Sequence, residues 1–518
     1  MKPNQKLADA LESLKEIQDN NVIAIYTENF KTVKHRQLLL KYGFIREVSK
    51  GWYIASNPSE TEGETTSWYS AYWDFVAAFL DRKYGNEWCL SPDQSLLIHV
   101  QNTSIPQQLL VRSPKGNNNP TPLPHATTLF NLKTDIPADS LTLVKNGIRL
   151  YDLPSSLVYC SPRIYLTHAL DVRTALSMIR DASEVLPVLL ENGHSTLAGR
   201  LAGAFRNIGR ERISDQIIET FKQADYDIRE IDPFETNTEI ILSRRDRSPY
   251  AIRIRLLWQE MRKTVIQLFP PAPGISPDVK AYLQKVDDLY LTDAYHSLSI
   301  ERYKVTPELI ARVSSGEWNA KSNEEDRKQR DAMAARGYYQ AFNQVKVSIE
   351  KILLGSNPGV QVERDHDRWF RELFDPSVAA GLLRPADLAG YRNHQVYIGN
   401  SKHVPVNVDA MRDVMPVLFE LLSEETEASV RAVLGHFIFV YIHPYMDGNG
   451  RMGRYLMNVM LASGGYPWTV IPVEQRTTYM QALEQASVEQ DITAFAKFIA
   501  ELVRDTMSGQ GVAKLPEK

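Results

Sequence analysis

The twelve residues HPYMDGNGRMGR, 443 to 454, follow directly on the apolar run AVLGHFIFVYI. Before them, Val430, Val433, Leu434, Phe437, Ile438 and Tyr441 recur at the spacing of one buried helical face. Pro444 cannot continue that helix, so His443 stands where a rigid helix opens into a loop. Met452, Leu456, Val459 and Met460 mark a second helix, closed by Gly464-Gly465. The glycine-rich segment therefore lies between two core helices, at the N-terminus of the second.

That position has a chemical meaning. The first turn of a helix leaves its backbone N–H groups unpaired, and the macrodipole is positive there. Gly448 and Gly450 let the backbone curl so that successive N–H groups converge, which makes an anion nest. Asn449 either steadies the curl or adds a donor. Arg451 and Arg454 lie one turn apart and reach the same polyphosphate. Asp447 offers a hard oxygen ligand suited to Mg2+ bridging phosphates, and His443 has the chemistry of a general base. GNG alone is a common turn, and a lone histidine at a helix end is usually structural. It is the combination at one helix N-terminus that reads as a phosphate site with a base beside it.

The rest of the chain sets the frame. Its 518 residues allow roughly three domains at about 150 residues each. A net charge of -4 excludes a generic polyanion binder, so any nucleic-acid contact must come from a local patch. Cys89 and Cys160 form no CxxC pair, which excludes a disulfide framework and a cysteine zinc site and suits a cytoplasmic protein. The most apolar run, around Phe437 to Ile442, is too short to span a bilayer. No GxxxxGK[ST], GxGxxG or HExxH occurs. Asp365-His366-Asp367 has metal-ligand chemistry but reads as a solvated stretch of a charged helix.

Residues 1–60 outline a winged helix: a helix, a second helix stopping at Gly43, then the strands FIREV and GWYI hinged at Lys50-Gly51. Lys31, Lys34, Arg36 and Lys50, with Lys41 and Arg46, face only Glu47, an electrostatic footprint for duplex DNA or simply a solvated face. Residues 61–170 mix helix with short strands such as SLLIHV, QLLVR and LTLVKNGIRLYDL. Residues 171–284 are helical and end near the linker candidate LFPPAPGISP at 268–277. Residues 285–510 are mainly helical.

HPYMDGNGRMGR resembles the Fic (Fic/Doc) signature HPFx[D/E]GNGRxxR, with Tyr445 in place of the usual Phe. The resemblance implies a mainly α-helical Fic core with a β-hairpin flap, within a multidomain chain. It also implies transfer of AMP from Mg-ATP to a Ser, Thr or Tyr hydroxyl of a protein, with Mg2+ as cofactor. His443 would be the base, Asp447 the metal ligand, and Gly448, Asn449, Gly450, Arg451 and Arg454 the phosphate site. AGYRNHQVYIGNSKHVP resembles the family's GxxRxxxVxIG flap, so Val396, Tyr397, Ile398 and Gly399 would dock a target segment. Val406 stands where a second proline is usual. Tyr479 and Glu484 are candidates for the adenine border, against a plain helical-core role.

Ser297 to Glu301 matches the first five positions of the family's inhibitory pattern [S/T]xxxE[G/N], in a helix near 290–302, with Arg302 where Gly or Asn is usual. In the family the glutamate pairs with the second signature arginine, here Arg454. In some relatives the same glutamate supports removal of AMP. Residues 1 to about 230 are similar to AbiEi-like antitoxins, which implies DNA binding and self-repression. Three readings follow: an autoinhibited AMP-transferase acting on a target protein or on itself, a DNA-binding regulator with a nucleotide-sensing Fic core, and a Fic enzyme that transfers another phosphate-containing group. A homodimer suits any of them, and none implies a membrane.

Overall fold

The computed structural model describes residues 3–60, 64–102, 104–191, 193–235, 248–315, 330–510 and 513–516. The chain divides into two compact units, Met1–Arg253 with Tyr397–Val404, and Ile254–Val396 with Pro405–Lys518.

The first unit opens with α1 (Pro3–Asp19), β1 (Ile25–Tyr26), α2 (Val33–Lys41), β2 (Ile45–Ser49) and β3 (Trp52–Ala55). The strands form an antiparallel sheet in the order β1-β3-β2. Thr32 caps α2 by accepting from the His35 N–H, and Gly43 at φ 74° ends it. Gly51, at φ 77°, makes the β2–β3 turn, its N–H held by Glu47 at 2.9 Å. Ala10, Leu14, Leu39, Ile45 and Tyr53 bury a small core beneath.

Beyond it come α3 (Thr66–Tyr84), β4 (Cys89–Leu90), α4 (Pro92–His99), β5 (Gln108–Ser113), β6 (Pro120–Pro122) and β7 (Thr128–Lys133). The sheet order is β4-β5-β7-β6, with β5 and β7 parallel. A hairpin, β8 (Thr142–Lys145) and β9 (Ile148–Tyr151), follows. SLLIHV, expected as a strand, is instead the body of α4. A short apolar run does not reveal its period, and the start decides it: Ser91 caps the Gln94 N–H and Pro92 occupies the first turn. A helical layer packs its own core, from α5 (Leu153–Tyr159), α6 (Ile164–Thr167), α7 (Ala169–Met178), α8 (Leu186–Leu190), α9 (Ser195–Asn207) and α10 (Glu211–Gln223). Tyr397 and Val404 join the aromatic core around Trp68, Tyr72 and Phe75 in this unit.

The second unit is built from helices. The boundary falls within α11 (Pro249–Leu268), followed by α12 (Val279–Ile300), α13 (Pro307–Ser314), α14 (Arg330–Leu353) and α15 (Pro358–Ala379). Then come α16 (Met411–Glu424), α17 (Ala428–Ile442), α18 (Asn449–Ala462), α19 (Arg476–Val488) and α20 (Thr493–Met507). The proline-rich stretch 268–277 is packed here as a strap rather than as a free linker. Gly274 donates to the Gly464 carbonyl at 3.0 Å and Pro270 accepts from Tyr466 at 2.6 Å. With few N–H groups of its own, such a strap is satisfied mainly through its carbonyls.

Asp365-His366-Asp367 on α15 is only partly the solvated stretch expected: Asp367 is exposed, while His366 is buried. Asp365 accepts from Ser348 and Gln361 at 2.7 and 2.6 Å. His366, 4% exposed, accepts from the Tyr391 hydroxyl at 2.9 Å, and Asp367 accepts from Tyr445 at 3.2 Å. Helices α14 and α15 approach closely at Gly337, where an added Cβ would lie 2.0 Å from the Leu373 carbonyl oxygen. Backbone cannot give way there, so Gly337→Ala is expected to destabilise the unit by about 1–3 kcal/mol. Denaturant unfolding of the variant checks this, and an unchanged midpoint contradicts it.

Candidate functional site

Helix α17 is buried along nearly its whole length and ends at His443, whose φ of 56° and ψ of 60° place it in the left-handed region. Helix α18 starts after Gly448, also left-handed, at φ 83°. Two such turns fold the intervening residues back across the start of α18. Asn449, 1% exposed, clasps the loop: its Oδ1 accepts from the Tyr445 N–H at 2.9 Å and its Nδ2 donates to the Tyr445 carbonyl at 2.8 Å. Of the two roles open to Asn449, the side chain performs the steadying one.

Tyr445 stacks on Phe370 with ring centroids 3.7 Å apart and planes within 6°. The departure from Phe adds a hydroxyl that reaches Asp367 on α15.

His443 is held by a contact between its Nδ1 and the Val440 carbonyl at 3.2 Å. A carbonyl can only accept, so this bond puts the proton on Nδ1 and leaves the Nε2 lone pair available. Burial pushes the pKa down to about 4; the Val440 bond opposes this and the Arg392 charge adds to it. The ring is neutral at physiological pH.

The two arginines have different surroundings. Arg454, 4% exposed, donates from Nε to the Ser297 hydroxyl at 2.8 Å and from Nη2 to the Ser297 carbonyl at 3.0 Å. The same Nη2 meets Glu301 Oε1 at 2.7 Å. Burial opposes ionisation of Glu301, yet Arg454, with Arg451 and Arg476, pulls its pKa below the usual carboxylate range. Arg451, 1% exposed, sits between the rings of Tyr303 and Phe374, at 5.2 and 5.1 Å, and 3.6 Å from Asp447. The buried Arg454 Nη1 and Arg451 Nε make no hydrogen bond.

The glutamate also explains Gly450. A Cβ there would lie 2.2 Å from Glu301 Oε1 and 3.2 Å from Arg454 Nη1. The carboxylate thus rests on the first turn of α18, where any side chain at 450 would collide with it. Gly448 is required for a different reason, since its backbone is left-handed and a Cβ would strike Phe374 at 2.9 Å. Glu301 is the cap residue of α12, and Arg302 beyond it has φ 66°. That conformation is the one Gly and Asn adopt most readily. Arg302 occupies it with strain.

Asp447 is 65% exposed, with one carboxylate oxygen taken by the Gly448 N–H at 2.6 Å. Among the described residues no group of three His, Cys, Asp or Glu is placed to hold a metal. Mg2+ commonly takes one or two carboxylates and completes its shell with water and substrate phosphates, so a lone Asp447 beside the nest fits it.

The flap residues lie apart from this group in their contacts. Between 389 and 407 there is no strand among the described residues. The two arms are joined by Gln395 Nε2, which donates to the Pro405 carbonyl at 2.8 Å, in place of a backbone ladder. Val396 belongs to the second unit, whereas Tyr397, Ile398 and Gly399 belong to the first, in which Gly399 lies close against the Glu64 carboxylate. Tyr479 is buried on α19 and its hydroxyl meets His436 at 2.8 Å, while Glu484 is half-buried one turn further on. Lys31 pairs with Glu16 at 2.5 Å, and Arg36 lies over Tyr53 at 5.6 Å. Lys34 and Lys50 complete that stretch. Tyr303, Phe374 and Arg392 had not been singled out; only Arg392 had a signal, the arginine of the flap pattern.

Residues 361–461 match the model of the Fic/DOC family. The chain is 37% identical over 131 residues to proteins named protein adenylyltransferase Fic from Drosophila willistoni and Drosophila virilis, covering 24% of this chain and 26% of each relative. The chain thus spans about a quarter of the length of the curated relatives it matches. Among solved structures, Fic-1 (aa134 - 508) from C. elegans is 16% identical, covers 69% of this chain and 87% of that one, and superposes with a TM-score of 0.37. No helix among the described residues is long and apolar enough to cross a membrane. Residues 361–461 are a Fic/DOC family domain.

Proposed function

We propose that the chain is a protein adenylyltransferase that moves AMP from ATP to a hydroxyl of a target protein and is restrained by its own Glu301. The observation that carries this reading is the seat of the Glu301 carboxylate: on Gly450 at the start of α18, paired with Arg454. A site that already holds one anion through a guanidinium and a glycine-opened helix start is suited to another. The names of the Fic relatives support the choice of AMP.

In this reading Arg454 releases Glu301 and takes the γ-phosphate, Arg451 takes the α/β end, and the N–H groups of the Gly448–Gly450 turn hold phosphate oxygens. Asp447 would hold Mg2+, which neutralises phosphate charge when bound. His443 Nε2 accepts the proton of the target hydroxyl, whose oxygen forms a bond to the α-phosphorus as the bond to pyrophosphate breaks in line. Positioning and charge supply most of the acceleration. The target segment would lie along Val396–Gly399. The outline α1-β1-α2-β2-β3 supports a winged helix, and Lys34 and Lys50 with their basic neighbours would contact duplex DNA.

Three measurements test this. With ATP labelled at the α-phosphate, Glu301→Gly is expected to raise protein labelling by on the order of tenfold or more, as loss of a charge-assisted bond of about 1.5–3 kcal/mol allows. His443→Ala in that background should abolish it; label from the γ-phosphate alone would reject AMP transfer. Arg302→Asn relieves the left-handed strain of about 1 kcal/mol, so basal labelling of otherwise unaltered protein should fall about fivefold. A rise instead would mean that Arg302 holds the glutamate in place.

The third is the pH profile. A free-histidine base gives an acid limb near 6.5, whereas His443, held at about 4, should stay neutral and active down to about pH 5. A half-maximal rate near 6.5 contradicts its assignment as the base. For the N-terminal region, affinity for duplex DNA should fall with salt, and loss of Lys34 and Lys50 should flatten the slope by about two phosphate contacts.

A further inference from the structure

Arg392 lies in the second unit at the foot of the flap and is 4% exposed. Its backbone N–H donates to the Pro444 carbonyl at 2.8 Å, and its Nε donates to the His443 carbonyl at 2.8 Å. Nη1 donates to the His394 carbonyl at 3.0 Å and Nη2 to the Val406 carbonyl. One guanidinium therefore binds both arms of the flap and the residue that ends α17. Lysine could not reproduce this, because its single ammonium lacks the planar fork that spans three separate acceptors.

The bond to His443 falls on a strained point. A histidine at φ 56° costs about 1–2 kcal/mol, and the orientation of its ring depends on holding that turn. The carbonyl that accepts from Arg392 Nε belongs to the cap residue of α17, and a cation is favoured beside a helix C-terminus. Arg392 thus satisfies two successive carbonyls, of His443 and Pro444, where the chain leaves α17.

Building on the adenylyltransferase reading, we propose that Arg392 is the positioning residue for His443: it locks the left-handed turn that aims the imidazole and couples that aim to the flap on which the target docks. Its Nε, Nη1 and Nη2 donate to backbone carbonyls. The charged groups facing His443 are Arg392, Glu301 and Asp447, and of these Arg392 is the one that opposes protonation. The same guanidinium thus ties the His443 turn to residues 394 and 406 at the base of the flap.

The test uses the full-length chain with Arg392→Gln and Arg392→Lys, each alone and with Glu301→Gly. Isothermal titration with Mg-ATP gives nucleotide affinity, α-labelled ATP with lysate protein gives the transfer rate, and 15N-histidine NMR, assigned with His443→Ala, follows the His443 titration. Arg392→Gln should lower the rate by on the order of 100-fold, leave ATP affinity within about twofold, and move the His443 midpoint upward. Arg392→Lys should retain most of the low midpoint while losing much of the rate, and it serves if the glutamine variant does not fold. Unchanged rate and titration in both variants would overturn the proposal, as would a loss of ATP affinity in step with the rate. If the parent transfers no label at all, the adenylyltransferase reading fails on its own, and the histidine titration still decides whether Arg392 holds His443.

Discussion

A guanidinium with almost no exposure to solvent has to be matched, and in the second unit Arg454 sets the terms for everything around it. Its charge is met by Glu301, and its Nε and Nη2 donate to Ser297, all on or just past α12. Breaking a buried pair by removing one partner leaves an uncompensated charge, which costs about 3–5 kcal/mol. Glu301 supplies the compensating charge, so the pair is stable as it stands.

The surrounding loop obtains its shape from a few obligatory contacts. Two left-handed residues bracket it, Asn449 closes it on Tyr445, and Tyr445 is pinned to α15 by stacking and by its hydroxyl. Tyr303, two residues beyond Glu301, covers Arg451. Glu301 and Tyr303 therefore leave α12 together and meet both signature arginines. A displacement of that turn would uncover the two at once.

Legibility in the sequence followed the range of the interaction. The helices flanking 443–454 were readable because a 3.6-residue period over three turns has few alternatives. SLLIHV differs from the expected strand because a run this short, with four apolar residues, fits a strand and a buried helix alike, and the cap at Ser91-Pro92 outweighs the pattern. Within Asp365-His366-Asp367, Asp367 is exposed as charged residues usually are, but His366 is buried through partners distant in the chain, such as Tyr391. The flap pattern was visible in sequence, but its arms are joined by side chains rather than by a ladder.

By itself the sequence determined the helix–loop–helix, the anion-seeking chemistry of its glycines and arginines, and the match of Ser297 to Glu301 with an inhibitory pattern, because each is a local matter of spacing, backbone freedom and charge. Tertiary structure alone decided that Gly450 makes room for a carboxylate 149 residues earlier, that Arg302 adopts a left-handed turn, and that Arg392 bonds the His443 carbonyl. Those depend on which distant groups arrive at the same few ångströms. No local pattern encodes that, since it is set by how the helices pack.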